Sequence, residues 1–417
     1  YDYTVLAGTQ GLRNHRKTDR LFELADRLRL PVVLFAEGGG GRPGDPDSGG
    51  FAGLDVPTFG TFARLSGQVP LVGVVSGYCF AGNAALLGCC DVIIATPDAN
   101  IGMGGPAMIE GGGLGVHRPT DVGPVSVQVP NGVIDILAPD EPAAVATARR
   151  YLSYFQGPTR QWSAAGQEAL RTVVPENRRR VYDTRDAITL VADEGSVLEL
   201  RPEFGVGMVT ALARLEGRPV GIIANDPRHL GGAIDAEGAD KAARFLQLCD
   251  AHGLAVVTFC DTPGFMVGPA SERSAQVRHF SRMFVAGAAL RVPLLSVILR
   301  KGYGLGAMAM CGGSFKAPLS TVSWPTGEFG GMGLEGAVRL GFAKELEAIA
   351  DPDEQRAAFE HMVDSAYEQG KAMSAATYFE FDEVIDPADT RRHLVDVLAA
   401  APPRPPDAGR GRFVDTW

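Results

Sequence analysis

Apolar residues follow two alternating spacings along the chain. Residues 16–28 (RKTDRLFELADRL) carry them every three or four positions, which predicts a helix with one buried face. Residues 29–40 (RLPVVLFAEGGG) are a short β-branched run, read as a buried strand, that ends in an acid and a glycine loop. The succession then returns in other residues. DKAARFLQLCDAH (240–252) has the helical spacing, and GLAVVTFCDTPG (253–264) is again an apolar run ending in an acid and a glycine-containing loop. Lys17 and Lys241 lie 224 positions apart, and so do Glu37 and Asp261. Downstream, VPLVGVVSGYCFAGNAAL (69–86) matches VPLLSVILRKGYGLGAMAM (292–310): Val-Pro, an apolar strand, Gly-Tyr, a glycine-rich turn and an Ala/Leu/Met helix. One more strand follows each, within DVIIATPDANIG (91–102) and STVSWPTGEFG (320–330).

This internal repeat predicts an α/β fold. Strands alternating with helices favour parallel pairing and right-handed crossovers. Such sheets bind ligands outside the carboxyl ends of their strands, where the glycine loops of both copies fall. The expected units are residues 1–156 and 181–400, joined by a linker at 157–180 and followed by a Pro-rich tail at 401–417. The second copy also has an upstream stretch, residues 181–224, that reads as a helix and several strands. Residue 1 already falls near the matching final strand. The first copy is therefore expected to lack its N-terminal segment, and the natural chain to continue before Tyr1.

Composition narrows the function classes. The 417 residues are 45% hydrophobic and 21% charged, room for two or three folded domains and unlike a disordered chain. The net charge of −10 argues against a general nucleic-acid binder but leaves room for a small anionic ligand. The basic clusters at 13–17 and 178–180 read as solvated faces or as phosphate contacts. The six cysteines form no CxxC pair, so a zinc ribbon or thioredoxin-type site is not expected; five of them sit in apolar runs and read as core thiols of a reducing compartment. With no run of 18 apolar residues and no signal-peptide pattern, the expected location is cytoplasmic, away from membranes.

The 53 glycines, about twice the usual share, gather after apolar runs. In GYCFAGNAAL and GYGLGAMAM a glycine turn opens a helix, exposing backbone N–H groups that suit an oxyanion. The same turn also serves tight strand-to-helix packing. The loops at 36–45 and 261–272 follow the other strand ends, and each offers a second N–H to the same oxyanion or is a surface loop. GGMGLEG has GxGxxG at Gly331, Gly333 and Gly336, but no strand is expected before it, which argues against a nicotinamide site. HExxH, GxSxG and GxxxxGK[ST] are absent, the His residues do not cluster, and no metal set is expected. Paired N–H sites without a nucleophile triad point to chemistry through a stabilised enolate of a thioester or similar carbonyl.

These residues carry a family resemblance. The Gly-Tyr-x-x-small-Gly turn resembles the crotonase superfamily. The duplication, with DTPGF (261–265), RKGYGLGAMAM (300–310), WPTGEFGGMGLEGAV (324–338) and FDEVIDPADTRRHL (381–394), resembles the carboxyltransferase component of biotin-dependent acyl-CoA carboxylases. The resemblance spans essentially the whole chain and is tighter in the second half. It implies two tandem crotonase-like (ClpP/crotonase) domains in a homo-oligomer, usually a hexamer. The active site would lie between the first half of one protomer and the second half of its partner. It implies transfer of a carboxyl group from carboxybiotin, carried on a separate domain or subunit, to the α-carbon of an acyl-CoA. The partners are a biotin carboxylase and a biotin carboxyl carrier.

By the same resemblance, the amides of Ala81 and Gly82 hold the thioester enolate, and those of Leu305 and Gly306 hold the biotin ureido oxygen. Gly38, Gly39, Gly40, Tyr78 and Phe80 fall on the acyl-CoA side; Thr262, Pro263, Gly264, Phe265, Tyr303 and Gly304 on the biotin side. Ala81 and Leu305 depart from the family's usual Gly-Gly and Gly-Ala, yet any residue except proline keeps its N–H. The opening stretches AGTQGLRNHRKTDR and FAEGGGGRPGD look more like the carboxyltransferase region of single-chain, multi-domain carboxylases such as the long-chain acyl-CoA type. Three alternatives remain open: a biotin-dependent decarboxylase subunit, an assembly scaffold, and a crotonase-type hydratase or isomerase. The last would need a pair of Glu on the first-half turns, and GYCFAGNAAL has none.

Overall fold

The computed structural model describes residues 1–42, 44–45, 54–402 and 413–417; Pro43 of the first glycine loop and most of the Pro-rich tail lie outside the described residues. The first half forms β1 (Val32–Phe35), β2 (Leu71–Val75), β3 (Tyr78–Phe80), β4 (Val92–Ala95), β5 (Asn100–Gly102) and β6 (Ile136–Leu137). The second forms β7 (Leu198–Leu200), β8 (Met208–Leu215), β9 (Arg218–Asn225), β10 (Ala255–Thr262), β11 (Leu294–Tyr303), β12 (Ser320–Ser323), β13 (Glu328–Gly330) and β14 (Glu383–Val384). One sheet has the order β1-β2-β4-β6, all parallel. The other runs β14-β12-β11-β10-β9-β8-β7, parallel from β14 to β9 and antiparallel beyond. The parallel series β10-β11-β12-β14 thus repeats β1-β2-β4-β6. The β3–β5 pair is repeated by the end of β11 against β13.

The helices repeat as closely. α1 (Leu12–Leu28) precedes β1, and α2 (Gly82–Gly88) follows β3. Their counterparts are α3 (Ala236–His252) and α4 (Gly304–Met310). α1 and α3 both have 17 residues and start 224 positions apart. The left-handed turn before them repeats too, at Leu6 (φ 50°) and Leu230 (φ 48°).

Three expectations are revised. β1 is not buried: Val33 and Phe35 are exposed, whereas every residue of β10 is buried. β10 is covered by β9 on its second edge, and β1 has no such neighbour among the described residues. A strand does precede GGMGLEG: β13 ends at Gly330, too short for its period to be seen in the sequence. The stretch at 157–180 is packed on the second half, with Leu170 fully buried and Arg171 paired with Asp386 at 2.8 Å.

The halves meet through one core in which Val72, Val74, Val92 and Ile94 pack with Phe245, Leu248 and Cys249 of α3. Charge crosses the same boundary. Asp135 accepts the Ile93 N–H at 2.7 Å and the Arg201 Nε–H at 2.8 Å. Asp91 accepts the Leu71 N–H at 2.9 Å and lies 3.1 Å from His252 Nε2, while Arg244 donates to the Asp91 carbonyl at 2.8 Å. Lys241 is buried, donating to the Arg201 and Phe204 carbonyls, and burial pushes its ammonium pKa down to about 7. All six cysteines are free thiols, and all but Cys89 are buried. No helix among the described residues is long and apolar enough to cross a membrane.

Replacing Asp135 by Ala would leave the Arg201 guanidinium buried without its partner. Calorimetry should show a loss of about 3–5 kcal/mol in stability. The Lys241 shift has the opposite sense from a stabilising pair. The native state disfavours the charged amine, so its penalty is complete below about pH 7 and fades as pH rises toward the free-lysine value. Melting curves should therefore show the parent protein gaining stability relative to Lys241→Met between pH 7 and 10.

Candidate active site

Both glycine loops leave their strands through a carboxylate that grips the next strand. Glu37 accepts the Ser76 N–H at 2.6 Å. Asp261 accepts the Lys301 N–H at 3.1 Å. Asp261 is fully buried and also takes hydrogen bonds from the Tyr182 hydroxyl at 2.9 Å and Arg300 Nε at 3.1 Å.

Beyond the carboxylate, the first loop is bonded residue by residue. Gly38 N–H donates to the Tyr78 carbonyl at 2.8 Å, Gly39 N–H to Ala7 at 3.0 Å and Gly40 N–H to Asn83 Oδ1 at 3.0 Å. The Gly40 carbonyl accepts from Gln10 at 2.7 Å, and Arg42 N–H donates to the Gln10 carbonyl at 2.8 Å. Gly41 sits between these pinned neighbours, and its N–H has no acceptor among the described residues. The second loop repeats the scheme at an offset of 224. Ile234 N–H donates to the Gly264 carbonyl at 3.0 Å and Met266 N–H to the Ile234 carbonyl at 2.9 Å, leaving the Phe265 N–H without an acceptor among the described residues.

Each loop lies against a helix start, where first-turn amides have no intrahelical acceptor. A methyl group on Gly40 would come within 2.5 Å of Ala81 Cβ and 3.1 Å of Gly82 N. One on Gly306 would come within 2.7 Å of Gly264 Cα and 3.0 Å of Phe265 N. The structure therefore brings Gly40, the residue before Gly41, to Ala81–Gly82, and Gly264–Phe265 to Gly306. Gly40 (φ 83°) and Gly264 (φ 123°) have backbone conformations reserved for glycine.

Ala81 is corrected as a donor: its N–H already bonds the Gly102 carbonyl at 3.1 Å, because β3 continues its pairing with β5 one residue further. Gly82 is the amide left on that turn. Leu305 follows Gly304 (φ 57°) and is 61% exposed. Phe80 is buried against Gly105, and Tyr78 stacks on it at 5.9 Å, so this pair forms the wall behind the loop. Thr262 Oγ1 accepts the Gly264 N–H at 3.1 Å, Pro263 is half-buried, and the Phe265 ring stacks on Phe280 at 4.1 Å. The Tyr303 hydroxyl donates to Glu328 at 2.9 Å; burial raises the pKa of both groups. Gly302 and Gly304 line a cavity of about 500 Å³ with Met308, Phe315, Phe329 and Tyr378.

Sequence reasoning missed Asn83 and Gln10, whose polar atoms hold the first loop. Asn83 left a faint signal, a polar residue inside the Ala/Leu run GNAALL; Gln10 left none, since it holds the loop with backbone groups alone, as Ile234 does in the second half.

Ala81 is a non-glycine residue at φ 51°, ψ −122°. Such conformations cost about 1–3 kcal/mol. Ala81→Gly should raise the melting temperature, and denaturant titration should report a gain of that order.

A family model described as carboxyl transferase domain matches residues 1–406. The chain is 32% identical over 412 residues to the biotin-dependent acetyl-/propionyl-coenzyme A carboxylase beta6 subunit of Mycobacterium tuberculosis, covering 97% of this chain and 86% of that protein. A solved single-chain, multi-domain long-chain acyl-CoA carboxylase superposes with a TM-score of 0.89 at 65% identity, over 95% of this chain and 39% of that one. The transcarboxylase 12S hexamer, solved with methylmalonyl-CoA and methylmalonic acid bound, superposes with a TM-score of 0.87 at 31% identity, over 99% of this chain and 81% of that one.

Proposed function

Because the chain belongs to the carboxyl transferase domain family, we propose that its two strand-end sites bind the two substrates of one carboxyl transfer. The protein is a carboxyltransferase of the biotin-dependent acyl-CoA carboxylase kind. In our reading it consists of two tandem crotonase-like units, residues 1–156 and 181–400. The first takes acyl-CoA and the second takes carboxybiotin from a carrier domain. The observation that carries this is the repeated amide pattern: at Gly41 and at Phe265, 224 positions apart, a pinned loop near a helix start has one N–H without an acceptor among the described residues.

Carboxybiotin, when bound, would supply the carboxyl group as its N–carboxyl bond breaks; the ureido nitrogen freed by that loss would accept the α-proton of the acyl-CoA, and the α-carbon would bond the released carboxyl carbon. The second half fits its ureido oxygen with the amides of Phe265, Leu305 and Gly306. The first half meets the thioester oxygen with the amides of Gly41 and Gly82. As the α-C–H bond breaks, negative charge moves onto that oxygen, and N–H dipoles already aimed at it stabilise the enolate without reorganising. Gly38, Gly39, Gly40, Tyr78 and Phe80 shape the acyl-CoA side. Thr262, Pro263, Gly264, Tyr303 and Gly304 shape the biotin side.

Since each half supplies one site, we place the complete centre between the first half of one protomer and the second half of another, with Gly82 facing Leu305. The hexamer of transcarboxylase 12S supports an assembly of that kind. The 65% identity to a single-chain carboxylase supports a biotin carboxylase and a carrier on the same polypeptide as this chain. Six free thiols support a reducing, cytoplasmic setting.

Leu305→Ala keeps the amide and should leave carboxyl transfer near the parent rate. Leu305→Pro removes it in the first helical turn, where proline is tolerated, and should lower kcat about a hundredfold or more while acyl-CoA binding persists. A folded Leu305→Pro protein working at the parent rate overturns the donor assignment. Sedimentation should find an oligomer; a stable, fully active monomer overturns the shared centre.

A further inference from the structure

Asn83 is fully buried at the second position of α2, next to the Gly82 amide. Its side chain reaches across to the glycine loop. Oδ1 accepts the Gly40 N–H at 3.0 Å, and Nδ2 donates to the Glu37 carbonyl at 3.3 Å, with the Gly8 carbonyl at 3.5 Å. The loop is shaped around this amide: a methyl group on Gly38 would come within 2.4 Å of Asn83 Nδ2. One side chain thus ties the helix turn bearing Gly82 to both ends of the 37–40 segment that leads into Gly41.

We propose that Asn83 is a positioning residue for the acyl-CoA-side oxyanion site, setting the separation between the Gly41 and Gly82 amides. The proposal rests on the carboxyl-transfer reading above. Gly40 has two restraints, the Asn83 bond to its N–H and the Gln10 bond to its carbonyl. Without the first, the peptide before Gly41 can turn about its remaining anchor, and four consecutive glycines offer little stiffness to oppose it. The second half fixes the same peptide differently: Thr262 Oγ1 accepts the Gly264 N–H from within the loop, and Ala307 of α4 has no polar group to offer. Asn83 therefore acts on one of the two sites only.

That asymmetry provides the test. In the complete enzyme, Asn83→Ala and Asn83→Ser (which keeps a hydroxyl too short to span to Gly40) are compared with the parent. The measurements are kcat and KM for carboxylation of an acyl-CoA, acyl-CoA-independent decarboxylation of carboxybiotin, and melting temperature. A displaced donor typically costs up to a hundredfold in rate. We expect kcat to fall at least about tenfold, with KM for acyl-CoA and the decarboxylation rate near parent values. Unchanged kcat in a folded variant overturns the proposal. So does a parallel fall in both reactions, which would mark Asn83 as a general structural residue. If Asn83→Ala does not fold, Asn83→Ser decides on the same criteria. A parent enzyme that carboxylates no acyl-CoA would instead defeat the functional reading on which the proposal stands.

Discussion

A backbone amide buried without an acceptor is costly, so the folded chain pairs nearly all of them. In both halves of this protein the strand-end loop follows that rule on either side of one residue, and among the described residues the N–H groups of exposed Gly41 and half-buried Phe265 have no acceptor. The neighbours are each bonded to a fixed group: Gln10 and Asn83 on other elements around Gly41, Ile234 on another element and Thr262 at the loop's own root around Phe265. An N–H held between two fixed peptides cannot turn inward to find a partner. Under the proposed function, that fixed placement is the preorganisation that stabilising a developing charge requires.

Fixing those loops depends on what lies beneath them. Glu37 and Asp261 fasten each loop root to the next strand, and Asp261 adds Arg300 and Tyr182 to the joint. Arg300 also donates to the carbonyls of Arg178 and Arg180, so the stretch joining the halves is tied to the second site. Asp91 and Asp135 start β4 and its flanks in the first half while engaging His252 and Arg201 of the second. The same carboxylates that satisfy strand-end amides within one half also hold the other half.

The two sites are alike in backbone and unlike in side chain. Where α2 sends Asn83 into its loop, α4 presents Ala307, and the second loop supplies its own Thr262. Gln10 and Ile234, by contrast, brace their loops in the same way, through main-chain groups alone. Under the proposed function, two substrates of different shape would be met by one repeated main-chain device with different side-chain supports.

The sequence alone established the duplication, the α/β alternation and the glycine turns, because apolar periodicity and φ-permissive residues are local properties written in the order of residues. The 224-residue offset read from Glu37 and Asp261 is the offset at which α1 and α3 begin. It marked the turns holding Gly82 and Gly306 as candidates for the proposed sites, and the loops as candidate sources of a second N–H without saying which one. Only the tertiary structure decided that. Ala81 lost its place because Gly102, on a strand paired in space, takes its proton. Gly41 and Phe265 gained theirs because residues 31 positions earlier in the chain occupy the amides beside them. Whether an amide is free depends on every acceptor within 3 Å of it, and those acceptors come from other elements whose placement no local pattern encodes.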